Sequence, residues 1–383
     1  MNNRVMIIAG EASGDLHGAR LVTAMKACRP ELSFSGMGGR ELAAVGVDIL
    51  FEAKKIAVVG IIEVFSHLPD ILAARKILRK TLVQDRPSLL ILIDFPDFNL
   101  MLAKFAKKIG IPVFYYISPQ VWAWRSGRVK TISQRVDRIG VILPFEEEFY
   151  RSRGVAADYV GHPLLDSVHS SSSREEFCRS HGIDPGTTCI GLLPGSRKKE
   201  ISSLLPTLLQ AGQRLKEKST ENLVFLLPLA STVSEEEIRN NGLDEFGQGL
   251  DLYLIKEKRY DMMAACAAAV VVSGTVTLEL AILNTPMVVV YKVSPRTYFL
   301  GKLLVNKEIK HFSLVNLIAA KEVVPELLQE EVTTERIEEE LSSILFHSER
   351  REEMLQGLSY VRDCLGKPGA SAKAAQLALS LID

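Results

Sequence analysis

The chain has 383 residues, and its 46 lysines and arginines balance its 46 aspartates and glutamates. This neutral balance excludes the basic excess of a dedicated nucleic-acid binder, and a hydrophobic fraction of 47% excludes a disordered chain. The longest apolar run, residues 262–272, is too short to span a bilayer, and the five cysteines form no CxxC pair. We therefore expect a two-domain protein in a reducing cytoplasm, without a signal peptide.

Apolar runs of strand length alternate with amphipathic stretches in the first 165 residues. Unbroken apolar runs predict parallel strands, because strands covered on both faces show no polar alternation. The predicted strands are Val5–Ala9, Leu89–Ile93, Pro112–Ile117 and Arg138–Leu143, and the predicted helices include Leu16–Met25 and Asn99–Ile109. Residues 1–165 are therefore predicted to form a Rossmann-like α/β domain.

The pattern restarts after a segment typical of a linker. Gly161–Pro163 is a predicted turn, and Ser170–Ser173 is a predicted flexible serine tract. A second Rossmann-like domain, residues 166–365, is indicated by helix Ile201–Glu217 and by strands at Cys189–Leu193, Leu223–Leu227, Leu252–Ile255, Ala268–Val272 and Met287–Tyr291. We expect ligands in a cleft between the carboxyl edges of the two sheets, where open α/β sheets bind them.

Residues 334–382 are predicted to be wholly helical. Two arrangements of the last helix, residues 366–383, stay open. It could complete the first domain, or it could be exchanged between two copies of the chain in a homodimer.

The loop after the first strand, Gly10–Gly18, combines glycines with small and acidic residues. Its spacing matches neither the dinucleotide fingerprint nor a Walker loop. In one interpretation Asp15 is simply the N-cap of the first helix. In the other, Ser13 and Asp15 belong to a polar loop that holds a hydroxyl-rich acceptor.

Two carboxylates follow the strand at residues 89–93. Asp97 is predicted to cap the next helix. Asp94 ends the strand beside Phe95 and Phe98, where partial desolvation would raise its pKa toward that of a general base. The alternative is a strand-end aspartate bonded to backbone amides. The sequence favours neither interpretation over the other.

Both tryptophans lie in one loop, residues 118–125. Clustered tryptophans suit a sugar face, an acyl chain or a membrane interface. Gln120, Trp122 and Trp124 are therefore candidate acceptor residues. The alternative is that one tryptophan fills the domain core.

Two loops of the second domain are candidate sites for a nucleotide diphosphate. Each follows a strand and precedes a helix, so that free backbone amides can meet an anion. The candidate residues are Gly195, Ser196, Arg197, Ser273, Gly274 and Thr275. Either loop alone is more typical of an ordinary strand–loop–helix connection. Two such loops in one half of the chain favour a binding site for a nucleotide diphosphate. The sequence has no metal-binding motif and no GxSxG elbow.

Eight motifs occur in a fixed order: GEASGD, DFPDFN, SPQVWAWR, GHP, LLPGSR, SGTVTLE, LVNL and PELLQE. This set resembles the bacterial lipid-A-disaccharide synthases from about Val5 to the C-terminal helices. The resemblance implies the GT-B architecture of two Rossmann-like domains. It also implies an inverting, metal-independent transfer of 2,3-diacylglucosamine from its UDP derivative to 2,3-diacylglucosamine 1-phosphate (lipid X). The products would be the β-1′,6-linked disaccharide 1-phosphate and UDP, and no cofactor would take part.

This chemistry needs a base and a site for the leaving UDP. Asp94 is our candidate for the base, with Asp97 and Glu11 as alternatives. Arg197 and the amide-rich loops would stabilise the charge that develops on UDP. The other donor-site candidates are Glu279, for the ribose, and Asn316 and Gln329, which match family motifs.

An apolar stretch, residues 56–65, precedes a basic one, residues 72–82. This combination is typical of monotopic docking on anionic lipid, although a buried helix with a solvated basic face would give the same pattern. The docking candidates are Val59, Ile62, Phe65, Arg75 and Arg79, and residues 296–310 are a weaker candidate. Because both implied substrates are acylated, we expect peripheral association with the cytoplasmic surface of the inner membrane.

Two other functions stay open. A UDP-sugar epimerase of the GT-B fold would need the same nucleotide site without a lipid acceptor. A nucleotide-sugar sensor would bind the nucleotide without turnover.

Overall fold

The computed structural model describes residues 2–56, 68–123, 127–230, 232–294, 298 and 310–382. The chain divides into two compact units, one of residues 1–166 with 367–383 and one of residues 167–366. Each unit contains one sheet of parallel strands. The predicted α/β class with two parallel sheets is therefore confirmed.

The first unit contains a seven-stranded sheet. Its strands are β1 (Arg4–Ala9), β2 (Ser33–Gly38), β3 (Val47–Glu52), β4 (Leu89–Ile93), β5 (Val113–Tyr116), β6 (Arg138–Val141) and β7 (Ala157–Tyr159). Their order across the sheet is β3-β2-β1-β4-β5-β6-β7, and Ile7 of β1 aligns with Gly36 of β2 and Ile91 of β4. β4 is buried throughout, which explains its unbroken apolar sequence.

Helices cover both faces of this sheet. They are α1 (Ala12–Cys28), α2 (Arg40–Ala44), α3 (Leu68–Asp85), α4 (Pro96–Lys108), α5 (Arg128–Ser133) and α6 (Pro144–Arg151). α3 and α4 pack into the core on one face, and α1 packs into the core on the other. The carboxyl edge of the sheet, from which the loops after β1 and β4 emerge, is thereby held on a rigid frame.

The second unit contains a six-stranded sheet. Its strands are β8 (Thr188–Leu193), β9 (Leu223–Pro228), β10 (Leu252–Ile255), β11 (Ala268–Val272), β12 (Met287–Tyr291) and β13 (Glu326–Leu328), in the order β10-β9-β8-β11-β12-β13. Its helices are α7 (Arg174–Ser180), α8 (Lys198–Lys218), α9 (Glu235–Ile238), α10 (Asp244–Phe246), α11 (Arg259–Ala265), α12 (Val276–Ile282), α13 (Leu314–Ala319), α14 (Thr334–Phe346) and α15 (Ser348–Cys364). The strand boundaries predicted for β10, β11 and β12 are confirmed.

The last helix, α16 (Ala370–Leu379), belongs to the first unit. Ala374, Ala375 and Ala378 are buried in the same core as α1. The Gly369 N–H donates to Oδ1 of Asp166 at 2.6 Å and fixes the start of the helix. The C-terminal region is helical as predicted and consists of three helices.

The serine tract predicted to be a flexible linker is held by a buried carboxylate. Oδ1 of Asp261 accepts from the Ser171 N–H at 2.6 Å and from the Ser170 hydroxyl at 3.0 Å. Its Oδ2 accepts from the hydroxyls of Ser171 and Ser172 at 2.7 and 2.9 Å. The prediction of flexibility is therefore wrong, because these four hydrogen bonds order the tract against α11.

Three cysteines that are distant in sequence lie together in the core of the second unit. The sulfurs of Cys178 and Cys189 are 3.9 Å apart, and Cys266 neighbours both. Burial raises the pKa of the Cys189 thiol to about 12. The thiol is therefore protonated and unreactive near neutral pH.

None of the helices within the described ranges has the combined length and apolar character that a membrane span requires.

Candidate active site

Asp94 lies directly after β4, at the carboxyl edge of the first sheet. Asp94 and Phe95 both adopt left-handed backbone conformations, with φ of 43° and 45°. The Asn99 side chain stabilises this turn by donating to the carbonyls of Ile93 and Asp94, at 3.1 and 2.7 Å, and the Tyr115 hydroxyl donates to the Asp94 carbonyl at 2.5 Å. Such conformations in non-glycine residues are uncommon and cluster at functional sites. The buried polar contacts therefore fix the position of Asp94.

The environment of Asp94 shifts its proton affinity. Burial, together with the nearby Glu11 carboxylate, raises the pKa of Asp94 to about 6. The loop that carries Glu11 approaches closely, since a Cβ on Gly10 would lie 2.4 Å from the Phe95 ring. A carboxylate with this pKa is ionised at neutral pH and is still basic enough to accept a proton from a hydroxyl in a transition state.

The two alternative bases have different surroundings. The Asp97 side chain is 80% exposed and pairs with Arg128. It also does not cap α4 as predicted, because Phe95 is the N-cap residue and Pro96 opens the helix. Glu11 is exposed at the N-terminus of α1. Asp94 is therefore half-buried, whereas Asp97 and Glu11 are exposed.

Asp15 is not the N-cap of α1, which begins at Ala12 with Glu11 at the cap position. Instead, Asp15 is buried, and its carboxylate accepts the N–H groups of Gly39, Glu41 and Leu42 at 2.7, 2.9 and 3.3 Å. It thus caps α2, a helix whose start is 25 residues further along the chain. Ser13, by contrast, is exposed on the first turn of α1.

The loop after β5 contains one buried tryptophan. Trp122 is 8% exposed, donates its indole N–H to Glu146 at 3.0 Å and packs edge-on against Phe145. This arrangement matches the alternative in which one tryptophan fills the core. Gln120 in the same loop is exposed. Trp124 lies outside the described residues.

The N–H groups of the loop between β8 and α8 bind an internal carboxylate, Glu200. Oε2 of Glu200 accepts the N–H groups of Ser196 and Arg197 at 3.2 and 3.3 Å, and its Oε1 accepts from the Arg197 guanidinium at 2.8 Å. Gly195, with φ of 111°, allows this close approach. The assignment of these donors to a diphosphate stays a prediction, and the sequence did not reveal that Glu200 occupies them.

The second predicted anion loop lies between β11 and α12. Ser273 donates to the Phe312 carbonyl at 3.1 Å, and Thr275 precedes the helix. Gly274 has open space where a Cβ would stand. The N–H groups at the start of α12 are thus bordered by small residues.

Glu279 on α12 is 6% exposed. It accepts from the Arg259 guanidinium at 2.8 Å and lies 3.4 Å from the Tyr260 hydroxyl. Burial raises the pKa of Glu279, whereas Arg259 acts in the opposite direction. Arg259 and Tyr260 were missed in the sequence; they open α11, and three residues separate this helix from the end of β10.

Asn316 and Gln329 are buried and bound to backbone. The side-chain oxygen of Asn316, Oδ1, accepts the N–H groups of Val323 and Val324 at 2.7 and 3.0 Å. Its side-chain nitrogen, Nδ2, donates to Glu326. Gln329 pairs with both backbone groups of Val293, at 2.8 and 3.1 Å. Both side chains therefore shape the connections around β12 and β13.

His162, in the GHP motif, is 3% exposed, and its Nδ1 accepts the Leu164 N–H at 3.2 Å. Burial lowers the pKa of His162 to about 3 and that of its neighbour His17 to about 4. Both rings are therefore neutral at physiological pH.

Helix α3 carries the described part of the predicted membrane surface. Leu68, Leu72 and Val83 are exposed, at 46%, 44% and 54%. Arg75 and Arg79 fall on the same helical face as these residues, and the Arg79 guanidinium also stacks on Phe105 at 4.1 Å. Val59, Ile62 and Phe65 lie outside the described residues, as does most of the weaker candidate, residues 296–310.

Within the described ranges, no group of three or more His, Cys, Asp or Glu side chains is arranged to hold a metal ion.

Comparison with known proteins identifies the family. A family model described as lipid-A-disaccharide synthetase matches residues 5–380. The lipid-A-disaccharide synthase of Syntrophus aciditrophicus is 50% identical, with 100% of this chain and 99% of that protein aligned. The calicheamicin glycosyltransferase CalG4 superposes with a TM-score of 0.61 at 12% identity, covering 98% of both chains. A UDP-GlcNAc 2-epimerase from Neisseria meningitidis gives a TM-score of 0.58 at 11% identity, covering 99% of both.

At these identities the two solved structures indicate the shared fold and not the reaction. The full-length sequence matches decide the family. The chain belongs to the lipid-A-disaccharide synthetase family and is a glycosyltransferase of the GT-B fold.

Proposed function

We propose that this chain transfers 2,3-diacylglucosamine from its UDP derivative to the free hydroxyl of 2,3-diacylglucosamine 1-phosphate. The products are the β-1′,6-linked disaccharide 1-phosphate and UDP. Family membership supports the substrates, and one observation carries the mechanism: a half-buried carboxylate, Asp94, with a pKa of about 6 at the carboxyl edge of a sheet.

Asp94 serves as the general base in this proposal. As the acceptor oxygen forms its bond to C1 of the donor sugar, the hydroxyl proton passes to Asp94. The bond from C1 to the diphosphate oxygen breaks, and UDP leaves with the electron pair. Attack on the face opposite UDP inverts the anomeric centre. Ser13 and Gln120, both exposed near this edge, are placed at the acceptor, together with Trp124.

Asp15 and Trp122 act indirectly in this scheme. Asp15 holds the start of α2 beside α1, and Trp122 holds the loop after β5 on α6. Both residues therefore position the acceptor loops rather than contact the sugar.

The second unit binds the donor. The N–H groups of Ser196 and Arg197, with the Arg197 guanidinium, stabilise the charge that develops on the diphosphate, and the amides near Gly274 contribute from the second loop. Glu200 rotates away when the diphosphate enters, because two anions cannot share these donors. Glu279 accepts the ribose hydroxyls, and Asn316 and Gln329 shape the surrounding loops.

Residues 1–165 thus carry the acceptor and the base, and residues 166–365 carry the donor. Incubation of the full chain with both substrates in the presence of EDTA tests the reaction. We expect the disaccharide 1-phosphate and UDP in equal amounts. Asp94→Asn should abolish turnover while UDP binding persists, whereas Asp97→Asn should retain turnover.

The rival functions give different products in the same experiment. An epimerase would isomerise the UDP-sugar without an acceptor, and a sensor would bind it unchanged. Either result would overturn the proposal.

We further propose that α3 docks the chain on the inner-membrane surface that faces the cytoplasm. Leu68, Leu72 and Val83 provide exposed apolar area, and Arg75 and Arg79 on the same face attract anionic lipid. Leu72→Ser with Val83→Ser should reduce binding to vesicles that contain phosphatidylglycerol. The matched control is Phe346→Ser on α14, which is 43% exposed. Equal losses in both variants would exclude α3 as the docking surface.

A homodimer through the C-terminal helices is also proposed, with the partner's copy of α16 on the α1 face that α16 covers within this chain. Light scattering of the full chain, with and without residues 367–383, tests this arrangement. A monomeric full chain would exclude it.

A further inference from the structure

Arg128 opens α5 and pairs with Asp97, which lies in the first turn of α4. One guanidinium nitrogen, Nη2, makes this contact, and the Arg128 side chain is 22% exposed. Its other guanidinium nitrogens have no hydrogen-bond partner within the described ranges. Part of this cation is therefore available to a ligand.

Two contacts locate Arg128 relative to Asp94. Its partner Asp97 is three residues from Asp94, so the Cα atoms of the two aspartates are at most about 11 Å apart. The second link is the buried Tyr115 hydroxyl, which donates to the Asp94 carbonyl at 2.5 Å. Burial and the Asp94 charge raise the pKa of Tyr115, whereas the Arg128 charge acts in the opposite direction. Asp94 and Arg128 therefore both lie near this hydroxyl.

A second cation of the first unit lies on the other side of the sheet. Tyr115 and Tyr116 are adjacent on β5 and point to opposite faces. Tyr115 belongs to the core that α3 and α4 cover, and Tyr116 to the core that α1 covers. Arg20, on α1, acts on the Tyr116 hydroxyl. Arg128 is thus the better placed of the two cations for a ligand bound at Asp94.

The acceptor in the proposed reaction needs a cation at this place. Its 6-hydroxymethyl group and its 1-phosphate are attached to the two carbons that flank the ring oxygen, so a 6-hydroxyl at Asp94 brings the phosphate close to the same edge. A phosphate monoester carries almost two negative charges at neutral pH. The carboxylates of Glu11, Asp94 and Asp97 would repel it without a compensating cation. A guanidinium binds phosphate through parallel, charge-assisted hydrogen bonds.

We propose that Arg128 binds the 1-phosphate of the acceptor and makes the enzyme selective for the phosphorylated monosaccharide. The guanidinium nitrogens that do not contact Asp97 donate to the phosphate oxygens, while the sugar 6-hydroxyl faces Asp94. The contact with Asp97 does not oppose this binding, because an exposed ion pair contributes little. This inference rests on the proposed function, which supplies an acceptor with a 1-phosphate.

Kinetics with two acceptors test the inference. The unmodified chain and Arg128→Gln are each assayed with the 1-phosphate acceptor and with its 1-O-methyl derivative, which lacks the phosphate. We expect Arg128→Gln to raise the KM for the 1-phosphate acceptor about tenfold or more, with kcat and the KM for the UDP donor changed much less. Its kcat/KM for the 1-O-methyl acceptor should equal that of the unmodified chain. Arg128→Lys keeps the charge without the planar fork and should show an intermediate preference for phosphate.

Lys130→Gln is the matched control, because Lys130 is exposed on the same helix and the substitution removes the same charge. It should keep the full preference for the 1-phosphate acceptor. Equal losses with both acceptors in Arg128→Gln would overturn the inference. So would a preference that is lost in Arg20→Gln but kept in Arg128→Gln, or a raised KM for the UDP donor alone.

Chemical modification of the unmodified chain gives a measurement that does not depend on the folding of a variant. Phenylglyoxal modifies accessible guanidinium groups, and mass spectrometry locates the modified residue. The 1-phosphate acceptor should protect Arg128, whereas UDP alone should not. Equal modification of Arg128 with and without the acceptor, or protection by UDP alone, would contradict the inference. Absence of disaccharide formation by the unmodified chain would instead remove the proposed function itself.

Discussion

The indole N–H of Trp122 donates to Oε1 of Glu146 at 3.0 Å, and both side chains are buried. The other carboxylate oxygen accepts the Leu143 N–H at 3.1 Å and so helps to cap α6. Burial nevertheless raises the pKa of Glu146 to about 7. The loop after β5 is therefore fastened to α6 by a carboxylate that loses its proton near neutral pH.

This pKa makes the stability of the first unit depend on pH. The unfolded glutamate loses its proton near its ordinary value, whereas the folded one keeps it until about 7, so the free energy of unfolding falls as pH rises between these values. A difference of this size corresponds to about 3 kcal/mol. Glu146→Gln cannot ionise and should flatten the dependence, although it loses one of the two acceptor contacts.

Urea denaturation at pH 5 and pH 8 measures this effect. Glu148→Gln is the matched control, because Glu148 lies on the same helix and is exposed. Equal pH dependence in Glu146→Gln and the unmodified chain would show that Glu146 does not control stability.

The serine tract gives a second prediction. Burial alone would raise the pKa of Asp261, but the hydrogen bonds from Ser171, Ser172 and Ser170 outweigh it and lower the pKa to about 2. Asp261→Ala leaves these donors without their acceptor and should cost about 3 kcal/mol or more. It should also make residues 170–173 sensitive to proteolysis. The contribution of the ionised carboxylate is present above the unfolded pKa and is lost as pH falls toward 2.

Asp261→Asn is the matched control, since it keeps one acceptor oxygen and should recover part of the stability. Limited proteolysis and thermal unfolding at neutral pH distinguish these results. A tract that resists cleavage in Asp261→Ala would mean that other contacts order it.

Strands were the part of the fold that the sequence predicted best. β4, β11 and β12 are buried, so their apolar runs end where the strands end. Helix starts were predicted less well. Asp15 has the residue type of an N-cap, but its partners are backbone amides of α2, which only the tertiary fold brings close.

In the candidate site, too, local patterns predict some features, whereas others depend on the tertiary fold. The positions of Asp94 and of the two anion loops follow from local patterns, because loops after parallel strands share one edge of a sheet. Pairs such as Arg259 with Glu279, or Trp122 with Glu146, join segments 20 or more residues apart. No local periodicity records such pairs, so the sequence alone could not distinguish a sugar-facing tryptophan from a buried one.

The proposed base gives a prediction about the pH profile of the reaction. Because Asp94 must be ionised to accept a proton, kcat/KM should rise with pH through about 6. Removing the Glu11 charge should lower the pKa of Asp94, because the Glu11 carboxylate is the second-largest cause of the raised pKa, after burial. The acidic limb of the profile should therefore move to lower pH in Glu11→Gln.

Asp97→Asn serves as the control, since Asp97 is exposed and pairs with Arg128 rather than facing Asp94. Its acidic limb should coincide with that of the unmodified chain. Coinciding profiles for Glu11→Gln and the unmodified chain would contradict the assignment of Asp94 as the titrating base.

Arg259 provides a test of the donor site. Its guanidinium lies 2.8 Å from Oε1 of Glu279 and over the Tyr260 ring at 4.7 Å. Without this cation, burial would raise the pKa of Glu279 further and favour the protonated form, which accepts fewer hydrogen bonds from a ribose. We expect Arg259→Ala to weaken UDP binding about tenfold, by loss of about 1.4 kcal/mol, with a smaller effect on kcat.

The pH dependence separates this effect from a general loss of structure. Calorimetric titration with UDP over a range of pH should show that the affinity of Arg259→Ala is lost at a higher pH than the affinity of the unmodified chain, because removing the cation raises the pKa of Glu279. Arg259→Lys keeps a cation and should recover part of the affinity. A loss of affinity in Arg259→Ala that is the same at every pH, with no recovery in Arg259→Lys, would mean that Arg259 does not act through the ionisation of Glu279.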